Sequence, residues 1–480
     1  MHSLRDTART IFEQALADCS VERAMERHVR VQDEKLYLGE DSLDLRSLLH
    51  LRILAVGKAA NAMLSSLLEL VPVPSNCDVS GILIAPSAPL KLPPGFQHFA
   101  GGHPSPNEAS FAGARAALAM LQESSEAASH TQDTLCLFLL SGGASAMMEL
   151  PLDPNISLAD TAEFHRVLVA SGASITEINC VRKHFSAVKG GRLALAARNA
   201  RCYSLLISDV PLGQEDALGS GPTLPDSSTV EQCRQIVARY DLLPQFPASV
   251  QRFFTSPALP ETPKPATLHA SASVLLHTND LAEAALRRAE ALGWTAILDN
   301  TCDDWDYREA AHYLLGRLRA LQQQHNRVCL ISAGEVVVRL PASKTGEPVG
   351  IGGRNQQFAL YAATLLNAED RPIAVLSAGS DGIDGTSPAA GAVVDETTLR
   401  ERFFNFSGTA TPFGGTSLDE PDRRNSYKAA LDALAKFNTY PFLMKRQATV
   451  MTGPTGNNLR DLRILLGQWG NLKSLGEVNF

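Results

Sequence analysis

Positive charge is in short supply in this chain: 43 Lys and Arg face 51 Asp and Glu, a formal charge of −8 at pH 7. That balance lacks the basic face a general nucleic-acid binder or a protein of acidic membrane surfaces needs. An anionic substrate must therefore be met by a local cluster of cations. None of the eight cysteines (Cys19, Cys77, Cys136, Cys180, Cys202, Cys233, Cys302, Cys329) falls in a C-x-x-C pair, and several sit inside apolar strand-like runs. They read as reduced, buried thiols of a cytoplasmic protein, neither a zinc site nor a disulfide framework. No apolar run approaches the ~18 residues of a membrane span, the best stretch running from Leu135 to Leu140. The charged N-terminus does not read as a signal peptide. Missing too are G-x-x-x-x-G-K-[ST], G-x-G-x-x-G, H-E-x-x-H, G-x-S-x-G, H-R-D and D-F-G. P-loop, dinucleotide-fold, zinc-hydrolase, serine-esterase and protein-kinase readings are thus without motif support.

What is present is a long, 45% apolar chain of 480 residues, enough for two or three domains at ~100–200 residues each. Ser3 and Asp6 form a capping signal ahead of an amphipathic helix whose Leu4, Ala8, Ile11, Phe12, Ala15 and Leu16 share one face. From Leu51 onward, short β-rich runs alternate with helical patterns: 51–57, 78–85, 135–143, 203–209, 272–277, 294–299, 328–335, 373–382 and 448–453. Their continuous hydrophobicity predicts strands covered on both faces, hence an α/β fold with mainly parallel sheets. Six prolines between Pro244 and Pro265 oppose both helix interiors and central strands, and place a linker at 243–267. The domains expected are 1–242 and 268–480, with the last helix free to pack back on the first. Residues 405–425 read as a long exposed loop.

In open α/β sheets, ligands bind beyond the carboxyl ends of strands, where helix N-termini offer amides to anions. Several segments stand at such places. Gly57 and Lys58 end the first run and open an Ala-rich helix, a fit for a phosphate or carboxylate and equally for a plain surface lysine. Ser141, Gly142, Gly143 and Ser145 follow the most apolar run, where bare backbone can approach a ligand or simply turn. Residues 178–194 carry Arg182, Lys183, Lys189 and Arg192 around His184, a candidate anion gate or a solvated basic face. Asp209, at a strand tip ahead of Ser220 and Gly221, fits a Mg²⁺ held by one or two carboxylates plus phosphate oxygens, and fits a turn cap as well. Later come Glu335, then Arg354 and Asn355 after three glycines, the acids Asp381, Asp384 and Asp395, and Thr455 with Asn457 on a glycine-rich turn. An arginine after such glycines can reach an anion at the bare backbone; D-G and G-I-D-G are also ordinary turn chemistry.

Taken together, GKAA (57–60), GGHPSPNEAS (101–110), SGGASA (141–146), INCVRKHFSAVKGGRLA (178–194), SDVPLGQEDALGSGPTLPD (208–226), GGRNQQFAL (352–360), SDGIDGTSPAAGAVVD (380–395) and TGPTGNN (452–458) resemble the glycerate kinases of the MOFRL type, the glycerate 2-kinases. The segments occur in family order across almost the whole chain. The resemblance implies ATP- and Mg²⁺-dependent phosphorylation of D-glycerate to 2-phosphoglycerate. It implies a larger, Rossmann-like N-terminal domain and a smaller C-terminal α/β domain with the active site in the cleft between them, a homodimer being left open. By the same analogy, Lys58 and Arg354 neutralise phosphate or glycerate charge, and Asp209 and Glu335 serve the metal or the attacking hydroxyl. Asp381 and Asp384 join the metal set, and Arg182 or Lys189 takes the glycerate carboxylate. Gly57, Ser141, Gly142, Gly143, Ser145, Ser220, Gly221, Asn355, Thr455 and Asn457 complete the substrate and nucleotide set. The chain departs from the family pattern at Ala144, around Glu335, at Gln357, at Ser387-Pro388 and in LGQED (212–216). Two rival readings therefore stand beside the kinase: a hydroxypyruvate or 2-hydroxy-acid oxidoreductase, and an inactive sugar-acid or nucleotide sensor.

Overall fold

The computed structural model describes residues 3–127, 133–208, 210, 213–268, 271–339, 350–367, 371–399 and 420–469, the side chains of 127 and 420–423 excepted. The chain separates into two compact units: Ser20–His277, and Met1–Cys19 together with Thr278–Phe480.

In the first unit, a three-stranded antiparallel meander, β1 (Val29–Gln32), β2 (Lys35–Leu38) and β3 (Asp41–Asp44), precedes a six-stranded sheet. That sheet comprises β4 (His50–Val56), β5 (Asp78–Ile84), β6 (Phe96–Phe99), β7 (Thr134–Leu140), β8 (Arg201–Ile207) and β9 (Ser271–Leu276). Its order is β6-β5-β4-β7-β8-β9 and every pair is parallel. Every side chain of β7 is buried, as its unbroken apolar run requires of a strand covered on both faces. The winding runs one way from β4 and the other way from β7. The reversal falls between those neighbours, the position where doubly wound sheets bind ligands.

The second sheet departs from expectation. It contains β10 (Thr295–Leu298), β11 (Arg327–Ala333), β12 (Ile373–Gly379), β13 (Gly391–Asp395), β14 (Thr449–Val450) and β15 (Asp461–Gln468), in the order β10-β11-β15-β12-β13-β14. Only β10 and β11 pair in parallel; the other four pairings are antiparallel. Full burial on two faces gives the same hydrophobic run whichever way the strands point, so sequence could not separate the cases.

The boundaries also differ from 1–242 and 268–480. The N-terminal helix Leu4–Asp18, capped by Ser3 Oγ accepting the Asp6 N–H at 3.1 Å, buries Ala8, Ile11, Phe12 and Ala15 against β12, β13 and β15 of the second unit. Asn457 Nδ2 donates to the Cys19 carbonyl at 2.8 Å, and Arg288 pairs with Asp18 at 2.6 Å. Nor is 243–267 a linker. It forms the helix Ala248–Thr255, and its Phe246, Val250, Phe254 and Leu259 lie in one core with Phe164 and Phe185, whose rings stack at 4.0 Å. The prolines bound these short elements rather than break a fold. The packing-back expected of a last helix falls on residues outside those described. All eight cysteines are free thiols, and no helix among the described residues is long and apolar enough to cross a membrane.

Candidate functional site

The loops leaving β4 and β7 are zipped together at the reversal point. The Lys58 N–H donates to the Gly142 carbonyl at 3.0 Å, and Ser141 Oγ accepts the Ala59 N–H at 3.0 Å. Gly57 has φ +121°, and a Cβ there would lie 2.3 Å from Ser141 Oγ, so only glycine permits this approach. Gly143, at φ +87°, turns the chain where a Cβ would stand 2.9 Å from the ring of His103. Burial, and then the charge of Lys58, lower the pKa of His103.

Two further turns meet the same place. Ser145 Oγ and Ser220 Oγ are 3.2 Å apart, and Ser220 Oγ donates to Asn179 Oδ1 at 3.0 Å. The Gly190 and Gly191 amides donate to the carbonyls of Ser220 and Gly221 at 3.1 and 2.8 Å. A cavity of about 560 Å³ opens beside them, lined by His103, Gly143, Ser145, His165, Arg182 and Leu218 among others. Burial lowers the pKa of Arg182, and the charge of Glu149 opposes the shift. Its buried Nε has no hydrogen-bond partner among the described residues.

The other cations of this segment are committed elsewhere. Lys189 is buried, with Nζ 2.6 Å from Glu149 Oε2 and 3.3 Å from the Met148 carbonyl. The same Glu149 oxygen lies 2.8 Å from His165 Nε2, and Oε1 accepts the Leu150 N–H at 2.9 Å. Burial would raise the Glu149 pKa, but the charge of Lys189 and the hydrogen bond from His165 hold it well below the usual carboxylate range. Lys183 pairs with Asp216 at 2.7 Å and Asp226 at 3.2 Å. His184 is buried with Nδ1 2.8 Å from the Cys180 carbonyl.

In the second unit, Arg354 opens the helix Arg354–Thr364. Its Nε lies 2.5 Å from Asp461 Oδ2 and its Nη2 2.8 Å from Glu335 Oε1. Arg460 pairs with Asp303 at 2.7 Å, and Asp303 Oδ1 accepts the Glu335 N–H at 2.9 Å. Burial raises the pKa of Glu335 against the pull of Arg354. Asp384 caps the helix: its oxygens accept the Asn355 and Gln356 N–H groups at 3.0 and 2.9 Å. Burial pushes its pKa up to about 7. Asn355 Oδ1 in turn accepts from Ser377 Oγ at 2.6 Å. Asp381 Oδ1 accepts the Ile383 N–H at 3.1 Å, and the Asp381 carbonyl accepts the Thr455 N–H at 3.2 Å. Asn457 holds the N-terminal helix, as above. Asp209 lies outside the described residues. Among those described, no group of three or more His, Cys, Asp or Glu side chains is arranged to hold a metal ion.

Within the first unit the structure thus gathers Gly57, Lys58, Ser141–Gly143, Ser145, Arg182, Ser220 and Gly221. Within the second it gathers Arg354 with Glu335, Asn355 with Asp384, and Asp381 with Thr455. Glu149, His165, Asn179, Asp303, Arg460 and Asp461 went unread in the sequence. Each is a single polar residue, and only the apolar run that Asp461 opens or the one around Glu149 offered a signal.

Residues 7–255 match the model of a domain of unknown function, DUF4147, and residues 328–406 match that of the MOFRL family. The chain is 33% identical to D-glycerate 2-kinase of Thermotoga maritima, over 86% of this chain and 89% of that one. It is 30% identical to a protein of Agrobacterium vitis provisionally named hydroxypyruvate reductase, over 86% and 98%. A crystal structure of glycerate kinase from Thermotoga maritima superposes with a TM-score of 0.76 at 30% identity, covering 97% of this chain and 99% of that one. Fold and comparisons define a two-unit α/β kinase. More narrowly, the chain belongs to the MOFRL-type glycerate kinase family.

Proposed function

We propose that this chain transfers the γ-phosphoryl group of ATP to the 2-hydroxyl of D-glycerate, giving 2-phosphoglycerate and ADP, with Mg²⁺ as the metal. The observation that carries the reading is the reversal point of the parallel sheet. There Lys58 and the Gly143 turn stand beside a cavity lined by Arg182, whose buried Nε has no hydrogen-bond partner among the described residues. Phosphoryl transfer asks little covalent chemistry of a protein and much positioning and charge neutralisation. Gly57 and Gly143 permit the tight turns on either side of Lys58 and the cavity, and a phosphate there would meet the Lys58 ammonium. The glycerate carboxylate goes to Arg182, because the charge of Lys189 is already matched by Glu149. Within the second unit Arg354 is fixed by Asp461 and Glu335, and the family reading gives it phosphate charge to neutralise. Mg²⁺ would be held by phosphate oxygens and one or two carboxylates; the family reading offers Asp209, which lies outside the described residues, or, within the second unit, Asp381 and Asp384. Of these, Asp384 would have to release the two amides it now caps.

The name of the Agrobacterium relative keeps the oxidoreductase reading in play. Against it, the turn after β4 reads Gly57-Lys58-Ala59-Ala60 where a dinucleotide fold needs G-x-G-x-x-G. A coupled ADP-release assay with glycerate, run beside an NAD(P)H absorbance assay with hydroxypyruvate, separates the two. Glycerate-dependent ADP release is expected. Hydride transfer without ADP release contradicts the kinase, and ligand binding with neither activity would leave the sensor.

A further inference from the structure

We infer that His165, held by the buried carboxylate of Glu149, takes the proton from the acceptor hydroxyl during phosphoryl transfer. The assignment rests on the kinase reading above and adds the group that activates its nucleophile. His165 lies on the helix Leu158–Ala170 and is among the residues that line the same cavity as Arg182 and Ser145. Its Nε2 sits 2.8 Å from Glu149 Oε2. Glu149 is fully buried and also meets Lys189 at 2.6 Å, so it stays ionised and can only accept. The hydrogen must then lie on His165 Nε2, and a neutral ring in that tautomer keeps Nδ1 as a proton acceptor. Carboxylate, imidazole and reacting hydroxyl in series is the arrangement by which a buried acid fixes the tautomer of a base and stabilises the imidazolium that forms.

Arg182, on the helix Ile175–Phe185, supplies the anchor. With the acceptor's carboxylate on that guanidinium, a hydroxy acid of three carbons presents its hydroxyl to the same cavity. The step balances simply. The O–H bond breaks and its proton goes to His165 Nδ1. The oxygen forms the new bond to the γ-phosphorus, the bond from that phosphorus to ADP breaks, and ADP leaves with the electron pair. The charged groups around the imidazole set its readiness. Burial lowers the His165 pKa below its ordinary 6.5, the Glu149 carboxylate opposes this, and the charges of Lys189 and Arg182 add to it. Arg166 and His103 line the cavity as well. The ring is therefore unprotonated at neutral pH, the state a base requires.

The test is steady-state ADP release with glycerate and saturating MgATP, from about pH 5 to 8, for the wild type and His165→Gln. The wild type should lose kcat as pH falls below the ordinary histidine range. The variant should lose ~10²-fold or more in kcat, keep its KM for glycerate within about threefold, and show no such acid limb. A variant with near-wild-type kcat, or one that keeps the acid limb, overturns the assignment. Nitrogen-15 NMR of His165 in the wild type, which needs no variant to fold, should show a neutral ring protonated at Nε2. A ring protonated at Nδ1 at neutral pH overturns it equally. An inactive wild type sinks the kinase reading and this assignment together, whereas an active wild type with an unaffected variant sinks this assignment alone.

Discussion

Replacing Lys189 with methionine should destabilise the first unit severely. The Lys189 ammonium is 1% exposed and lies 2.6 Å from a Glu149 carboxylate that is itself fully buried. Burial lowers the lysine's pKa, and the attraction of Glu149 opposes that shift. Methionine keeps most of the stem's volume but leaves the carboxylate without its strongest counter-charge. Removing one partner of a buried pair costs ~3–5 kcal/mol, because the other charge is left uncompensated. At ~2–4 °C per kcal/mol for a unit of this size, Tm should fall by about 6–20 °C. Glu149→Leu combined with Lys189→Met removes both charges and should recover most of the loss, since apolar groups of similar volume often replace a buried pair without penalty. Melting curves of the wild type, the single variant and the double variant decide the matter. A single variant melting within about 1 °C of the wild type, or a double variant no better than the single, would refute the reasoning.

Arg182→Gln should raise the KM for glycerate by ~10-fold or more and leave the KM for ATP unchanged, which steady-state kinetics in each substrate will report. Lys58→Ala should lower kcat/KM by at least ~10²-fold, about 2.7 kcal/mol of transition-state stabilisation. Arg354→Ala should do the same and also lower Tm, because Asp461, only 2% exposed, loses the guanidinium 2.5 Å away. Asp384 gives a pH signature. With its folded pKa raised to about 7 from an ordinary 3.8, the native state holds a proton that the unfolded state has released between those values. Its contribution is full at low pH and is lost as pH rises through about 7. Urea midpoints across that range should decline with pH for this group's share, and Asp384→Asn should flatten that part of the slope.

Much of the parallel sheet was legible because its strands carry their instruction locally. The runs at 51–57, 78–85, 135–143 and 203–209 are short, β-rich and mostly apolar, and they became β4, β5, β7 and β8. The strand β15 went unread, although its Leu462-Arg463-Ile464-Leu465 repeats the pattern of Leu51-Arg52-Ile53-Leu54 in β4; Arg463 is fully buried at the centre of the second sheet, with Nη2 3.3 Å from Ser332 Oγ. The run at 448–453 was legible but yielded only the two-residue β14. The assignment of Leu4–Asp18 to the second unit was hidden for a different reason. An amphipathic stripe announces that a face is buried, but nothing in its spacing names the surface that buries it. The same holds at the site. The glycines and Lys58 were readable from their place after a strand, whereas Glu149 and His165 are sixteen residues apart and meet only once the helix Leu158–Ala170 has packed. Lys189 and Arg182 looked alike in sequence; burial against Glu149 distinguishes them.

Phosphorus NMR of the product tests the central claim most directly. Purified protein incubated with ATP, Mg²⁺ and D-glycerate should generate ADP and one new phosphomonoester signal. Without proton decoupling, that signal should split into a doublet, because the phosphate sits on the carbon that bears a single hydrogen. A triplet would place the phosphate on the terminal carbon and contradict the proposed product. No new signal, with ATP unconsumed, would contradict the kinase itself.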